Sequence, residues 1–370
     1  MKYYIIAGEA SGDLHAANLM RGLYAQDPQC EVRFWGGDAM AAAGGMMVRH
    51  YRETAVMGVV EVFSKAGKIL DRLAFYKRDI LDWKPDAMIL VDYPGFNLRV
   101  ARFAKKHGIK VLWFIAPKVW AHKAWRVKNL RRDVDALYCI FPFELEWFRQ
   151  RGVEPRYFGN PLVDSVSGAS FSPVGDGPSI ALLAGSREFE LQFLMPRFAA
   201  LERLLDADPR MAGYRLVVAC APSLDMAAYR KYLPAGSRIE LVAGRTHDIL
   251  RQAEAAVISS GTASLEAALL GTPQVVCYGG NVVSYLISRV TVHVKFISLA
   301  NLVLDREVFR ELIQDQATPE AIKAELERLL FDSACRGQIA ADYEELKWRL
   351  GAPGAAGRIA KDIYEETARL

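Results

Sequence analysis

At 370 residues, with 52% hydrophobic and 24% charged side chains, the chain has the composition of a folded soluble protein and is longer than one core usually grows, so two domains are expected. Its net charge of +4 is too mild to argue for nucleic acid as a partner, and its longest apolar runs are strand-sized, which excludes a spanning helix. Five scattered cysteines without CxxC pairs read as reduced thiols, which points to a cytoplasm and to no metal site.

The first apolar run, Tyr3 to Ala7, is too short for a signal peptide and reads as a strand. It enters Gly8-Glu9-Ala10-Ser11-Gly12-Asp13 and then a helical pattern through Leu14, Ala17, Met20 and Tyr24. Two glycines let the chain turn sharply, so Glu9, Ser11, Gly12 and Asp13 fall at the carboxyl edge of a sheet, where small polar or anionic ligands bind. A helix cap accounts for one of the three polar side chains but not for all.

From about Val59 to Ile80 a basic amphipathic helix is expected. Val62, Phe63, Ala66, Ile69, Leu70, Leu73, Tyr76 and Ile80 recur at helical steps, with Lys65, Lys68, Arg72, Lys77 and Arg78 beside them. Such a stripe faces either a core or a membrane interface. Asp92 follows the strand Ala87 to Val91 and precedes Tyr93-Pro94-Gly95-Phe96-Asn97. That position suits a general base on a rigid strand end, or an aspartate capping the next helix. Further on, Lys118, His122, Lys123, Arg126, Lys128, Arg131 and Arg132 interleave with Trp113, Trp120 and Trp125, which suits an anionic surface or ligand, or a solvated helix face.

Strands are expected at Val32 to Trp35, Val111 to Ile115, Ala136 to Phe141 and Arg156 to Phe158, with helices between them. A Ser-, Gly- and Pro-rich stretch then interrupts the periodicity, and the same alternation restarts at Ser179 to Leu183, Tyr214 to Ala219, Arg238 to Val242, Ala255 to Ile258 and Gln274 to Tyr278. The expected architecture is α/β: two Rossmann-like domains, 1–165 and 179–350, joined by a linker at 166–178 and facing across a cleft. A final helix, 351–370, folds back onto the first domain.

In the second domain, Ser259-Ser260-Gly261-Thr262-Ala263-Ser264-Leu265-Glu266 follows a strand and opens a helix. Free amides and the helix dipole there suit a diphosphate, and Glu266 suits ribose hydroxyls, although a Ser-rich cap gives a similar pattern. Gly185-Ser186-Arg187 adds a guanidinium whose fork matches a phosphate, with Glu190 one turn on; a surface ion pair is the plainer role for Arg187.

GEASGD, AVMGVVEV (Ala55 to Val62), VDYPGFN (Val91 to Asn97), PKVWA (Pro117 to Ala121), PFE (Pro142 to Glu144), GNP (Gly159 to Pro161), GSR, SSGTASLE and LANL (Leu299 to Leu302) stand in this order across nearly the whole chain. Together they resemble the lipid-A-disaccharide synthases, glycosyltransferases of the GT-B fold. The family pattern differs here at Gly95, Ala116-Pro117-Lys118, His122, Asn160 and Ala300. The resemblance implies an inverting transfer from UDP-2,3-diacylglucosamine to 2,3-diacylglucosamine 1-phosphate, releasing UDP, with neither metal nor cofactor. It implies Asp92 as the base, and Glu9, Ser11, Gly12, Asp13, Met57, Asn97 and Trp120 on the acceptor side. Arg187, Glu190, Ser260, Gly261, Thr262, Glu266 and Asn301 hold the UDP-sugar. Val60, Val62, Phe63, Ile69, Leu70 and Leu73 then enter the cytoplasmic face of the inner membrane, where the protein is expected as a peripheral monomer or homodimer. Another GT-B nucleotide-sugar enzyme, a UDP-sugar 2-epimerase or a soluble-acceptor glycosyltransferase, is the competing expectation.

Overall fold

The computed structural model describes residues 1–53, 66–121, 123–168, 170–280 and 295–369, with the helical backbone only for 66–73. The chain divides into two compact units, Met1–Asp164 with Leu350–Leu370, and Ser165–Arg349.

The first unit is built on a seven-stranded sheet, ordered β3-β2-β1-β4-β5-β6-β7. Its strands are β1 (Lys2–Ala7), β2 (Glu31–Gly36), β3 (Met46–His50), β4 (Ala87–Val91), β5 (Lys110–Phe114), β6 (Ala136–Cys139) and β7 (Pro155–Tyr157), and all neighbours are parallel. Helices α1 (Ala10–Gln26), α2 (Asp38–Ala43), α3 (Ala66–Trp83) and α4 (Pro94–Lys106) make the first crossovers. β1 and β4 are continuous apolar runs because a parallel sheet is covered on both faces, and Tyr3 to Ala7 and Ala87 to Val91 are at most 1% exposed. Strand order reverses between β1 and β4, which makes their carboxyl ends the switch point of the sheet.

The last helix, Ala355–Ala368, lies against α1, and a side chain at Gly22 would stand 2.7 Å from the Ala360 methyl. Asp164 caps this helix through the Gly354 and Ala356 amides at 2.5 and 3.0 Å. Tyr138 and Arg156, from β6 and β7, hold its Asp362 at 2.7 and 2.5 Å.

The second unit has a six-stranded parallel sheet, β10-β9-β8-β11-β12-β13, of β8 (Ser179–Leu183), β9 (Arg215–Cys220), β10 (Glu240–Ala243), β11 (Ala255–Ser259), β12 (Gln274–Tyr278) and β13 (Glu311–Ile313). Its switch point lies between β8 and β11. Part of the 166–178 stretch is integral to this unit: Val174 is buried in its core, and the Ser172 and Val174 amides donate to Asp248 and Gln252.

The expected strands are present with ends shifted by a few residues, and two short edge strands are additional. β3 follows Gly44 and Gly45, both at positive φ, so its start is hidden by turn residues. β13 has only three residues. The helix expected over Val59 to Ile80 is α3, and the part of that expectation before Ala66, which includes Val60, Val62 and Phe63, lies outside the described residues, as does Met57. At its far end Tyr76 and Ile80 are fully buried with Trp35, so there the stripe is core. Among the described residues no helix is long and apolar enough to cross a membrane.

Candidate functional site

Each unit places a polar constellation at its own switch point. In the first, Asp92 directly ends β4, and its amide donates to the Phe114 carbonyl of β5 at 3.2 Å. Asp92 and Tyr93 take positive φ values of 41° and 46°, an arrangement that costs a non-glycine residue of order 1–3 kcal/mol and persists only where surroundings enforce it. Three contacts do so. Pro94 opens α4, the Asn97 amide donates to the Asp92 and Val91 carbonyls at 2.9 and 3.3 Å, and the Tyr93 ring lies against Gly8, where a Cβ would come within 2.5 Å of it. Gly8 is therefore required by this close approach. Asn97 is a positioning group rather than a surface one: it is fully buried, and its Oδ1 has no hydrogen-bond partner among the described residues.

Burial pushes the Asp92 carboxyl up to about 6; the Lys118 ammonium opposes this, Glu9 adds to it, and the Tyr93 amide favours the ionised form. A group with that value is ionised at neutral pH yet basic enough to take a proton. Glu9 and Ser11 are exposed at the start of α1, and Gly12 is packed against Ala7 and Val91.

Asp13 corrects the acceptor-side expectation. Its carboxylate is buried and accepts the Gly37, Ala39 and Met40 amides at 2.6, 3.0 and 3.2 Å, so it caps α2 from α1. Trp120 is half-buried, with its indole N–H on Glu144 at 2.9 Å.

In the second unit β8 ends at Leu183, and the loop after it turns at Gly185, whose φ is +102° and whose missing side chain leaves room for the Glu190 carboxylate. Glu190 accepts the Ser186 and Arg187 amides at 2.7 and 3.1 Å, closing the first turn of the helix Glu188–Asp206. It is buried, so it shapes the loop rather than offering a free acceptor. Arg187 is the outward group, with its side chain 63% exposed and 3.6 Å from Glu190.

Beside it, β11 ends at Ser259, and Gly261 is the N-cap of the helix Thr262–Leu270 without any side-chain cap. The Ser264 hydroxyl donates backwards to the Gly261 carbonyl at 2.8 Å, which leaves the leading face of the turn to backbone amides. Gly261 and Thr262 are exposed and Ser260 is half-buried. Glu266 stands 3.5 Å from the His247 imidazole, a partner that lies nineteen positions away in sequence and has no motif of its own.

Asn301 departs from its expected role on the donor. It is fully buried, donates to the Phe309 carbonyl and to Glu311 at 3.0 Å each, and accepts the Val308 amide at 2.8 Å. All of that bonding ties Leu299–Leu304 to the strand β13 and the residues leading into it, so Asn301 builds the unit rather than touching a ligand through its side chain. Met57 and the outer apolar residues Val60, Val62 and Phe63 lie outside the described residues, and of Ile69, Leu70 and Leu73 only the helical backbone is described. Lys118 was legible in the sequence as a cation of the basic, Trp-rich stretch and a member of PKVWA, Glu144 only as a member of PFE, and His247 was not legible at all.

The family model "Lipid-A-disaccharide synthetase" matches residues 3–353. Lipid-A-disaccharide synthase of Myxococcus xanthus is 37% identical over 370 residues, covering 98% of this chain and 96% of that protein. The synthase of Syntrophus aciditrophicus is 39% identical, covering 96% and 95%. Among solved structures, UDP-GlcNAc 2-epimerase from Neisseria meningitidis superposes with a TM-score of 0.71 at 10% identity, over 99% of this chain and 100% of that one. MurG of Acinetobacter baumannii gives 0.60 at 15%, over 98% and 99%. At those identities the likeness speaks for the fold, which is that of the GT-B enzymes. The near-complete match in sequence decides the rest: this chain belongs to the lipid-A-disaccharide synthase family.

Proposed function

We propose that the chain joins UDP-2,3-diacylglucosamine to the 6-hydroxyl of 2,3-diacylglucosamine 1-phosphate, with inversion at the anomeric carbon and release of UDP. Asp92 is the observation that carries this reading, as a carboxylate held by a strained turn at the switch point of a sheet. It takes the hydroxyl proton while that oxygen bonds the anomeric carbon, and the bond to the diphosphate breaks with its electron pair leaving on UDP. The donor belongs to the second unit, where Arg187 and the amides opening Thr262–Leu270 meet the growing negative charge and Glu266 meets the ribose. The reading is tested by incubating the purified protein with both acylated substrates and identifying the disaccharide product by mass spectrometry; UDP-GlcNAc converted in the absence of an acceptor would favour an epimerase instead.

A guanidinium and a helix start already match the diphosphate, so turnover is expected to persist in EDTA. Complete loss, restored by Mg²⁺, would overturn that assignment.

Acyl chains leaving a bilayer for water cost about 0.8 kcal/mol per CH₂, so the protein docks on the membrane that holds its substrates, here the cytoplasmic face of the inner membrane. Support comes from Trp125, which is 65% exposed, with the Arg126 guanidinium 5.6 Å from its ring and the exposed cations Lys123, Lys128 and Arg131 around it. Changing Val60, Val62, Phe63, Ile69, Leu70 and Leu73 together to Ser is expected to reduce co-sedimentation with anionic vesicles while keeping activity in detergent. Unfolding of that variant would assign the stripe to the core. Whether the protein docks as a monomer or a homodimer is decided by sedimentation velocity.

A further inference from the structure

Glu144 is completely buried at the third position of the helix Pro142–Arg149, where its Oε2 accepts the Ile140 and Phe141 amides at 3.0 Å each. A capping carboxylate needs only those amides. Its Oε1, however, accepts the Trp120 indole N–H from another part of the chain at 2.9 Å, and the Trp120 ring packs edge-on against Phe143. Trp120 lies in a compact turn in which the Ala121 amide donates to the Lys118 carbonyl at 3.2 Å and the Val119 amide to the Pro117 carbonyl at 2.6 Å. That turn leaves β5 at the point where the Phe114 carbonyl holds the Asp92 amide, and the Ala116 amide is held by the Tyr138 carbonyl of β6 at 2.9 Å. Lys118 and Asp92 therefore depart from adjacent strand ends.

Lys118 is exposed and forms no ion pair among the described residues, yet its charge acts on both Asp92 and Glu144. We propose that Glu144 is a positioning residue for the base: through the Trp120 indole it fixes the 115–121 turn, and so holds the Lys118 ammonium beside the Asp92 carboxylate. The inference rests on Asp92 being the general base. Its consequence is a base kept ionised despite burial, because the ammonium counters desolvation and the repulsion of Glu9, the other charged group facing Asp92. Glu144 itself is faced by Lys118, by the Cys139 thiol and by Tyr157; burial pushes its carboxyl up to about 7, with the indole and amide donors opposing.

The test is the pH profile of kcat/KM for Lys118→Met, Glu144→Gln, Trp120→Phe and the Lys118→Met/Glu144→Gln pair, using both acylated substrates in detergent. Lys118→Met is expected to move the acidic limb upward by about one pH unit, with the high-pH plateau within a few-fold of wild type. Lys118→Arg should restore the limb. The sign for Glu144→Gln is decisive, since removing an anion directly would move the limb of a neighbouring acid downward, whereas releasing Lys118 moves it upward. An upward shift that does not add to that of Lys118→Met supports the proposal. A downward, absent or fully additive shift overturns it. If Glu144→Gln does not fold, Trp120→Phe removes only the indole donor and should give a smaller upward shift; no shift in that variant overturns the proposal. A raised KM for the acceptor with an unmoved limb would make Lys118 an anchor for the substrate phosphate instead, which also overturns it. Asp92→Asn measured in the same series separates the two readings, because activity retained there removes the base itself.

Discussion

Asp92→Asn is expected to lower turnover by about 10²–10⁴-fold, the usual loss when a general base is removed, while the fold and UDP affinity remain. The amide keeps the shape of the carboxylate, and the contacts that enforce the turn use the Asp92 backbone, not its side chain: the Phe114 carbonyl, the Asn97 amide and the proline opening α4. Only the ability to take a proton disappears. The pH dependence follows from the same group. Its carboxyl is pushed up to about 6, so it is protonated and inactive as a base below that value and ionised above it. Activity in the wild type should therefore rise through about pH 6 to a plateau, and the residual activity of the variant should lack that limb. Turnover within a few-fold of wild type, or an unchanged limb, would remove Asp92 from the mechanism.

Much of this arrangement was legible in the sequence, and the reasons differ from element to element. Continuous apolar runs such as Ala87 to Val91 read correctly because parallel strands are buried on both faces. The turn residues after β1, β8 and β11 read correctly as sheet edges because Gly, Ser and acidic residues do not continue a strand. What the sequence could not separate was polar residues that face a ligand from those that face the backbone. Asp13 and Glu190 stand in or beside the same motifs as Ser11 and Arg187, and Asn301 in a motif of the same polar kind, yet each is buried and accepts backbone amides. Asp13 bonds residues 24 to 27 positions away, so no local pattern announces it. The twist at Asp92 and Tyr93 was equally hidden, since neither residue type favours positive φ strongly enough to signal it.

Arg187→Ala is expected to cut kcat by about 10²–10³-fold and to weaken UDP binding by roughly tenfold, with little change in stability. The small stability effect follows from exposure: the guanidinium is largely solvated and its contact with Glu190 is 3.6 Å, a geometry that contributes little to folding. Glu190 does not need the pair, because it already holds the Ser186 and Arg187 amides, and these survive truncation of the side chain. The loss in kcat should exceed the loss in UDP affinity because the diphosphate gains negative charge as the sugar departs, so the guanidinium is worth more in the transition state than in the ground state. Arg187→Lys should fall between, retaining the charge but not the two aligned donors. Glu266→Gln provides the contrast: its carboxylate faces His247 and the expected ribose rather than the breaking bond, so it should weaken UDP binding with a smaller effect on kcat. Titration calorimetry with UDP and steady-state kinetics on the three variants decide the matter. UDP affinity unchanged in both Arg187→Ala and Glu266→Gln would place the nucleotide elsewhere, and equal losses in affinity and kcat for Arg187→Ala would reduce Arg187 to a ground-state contact.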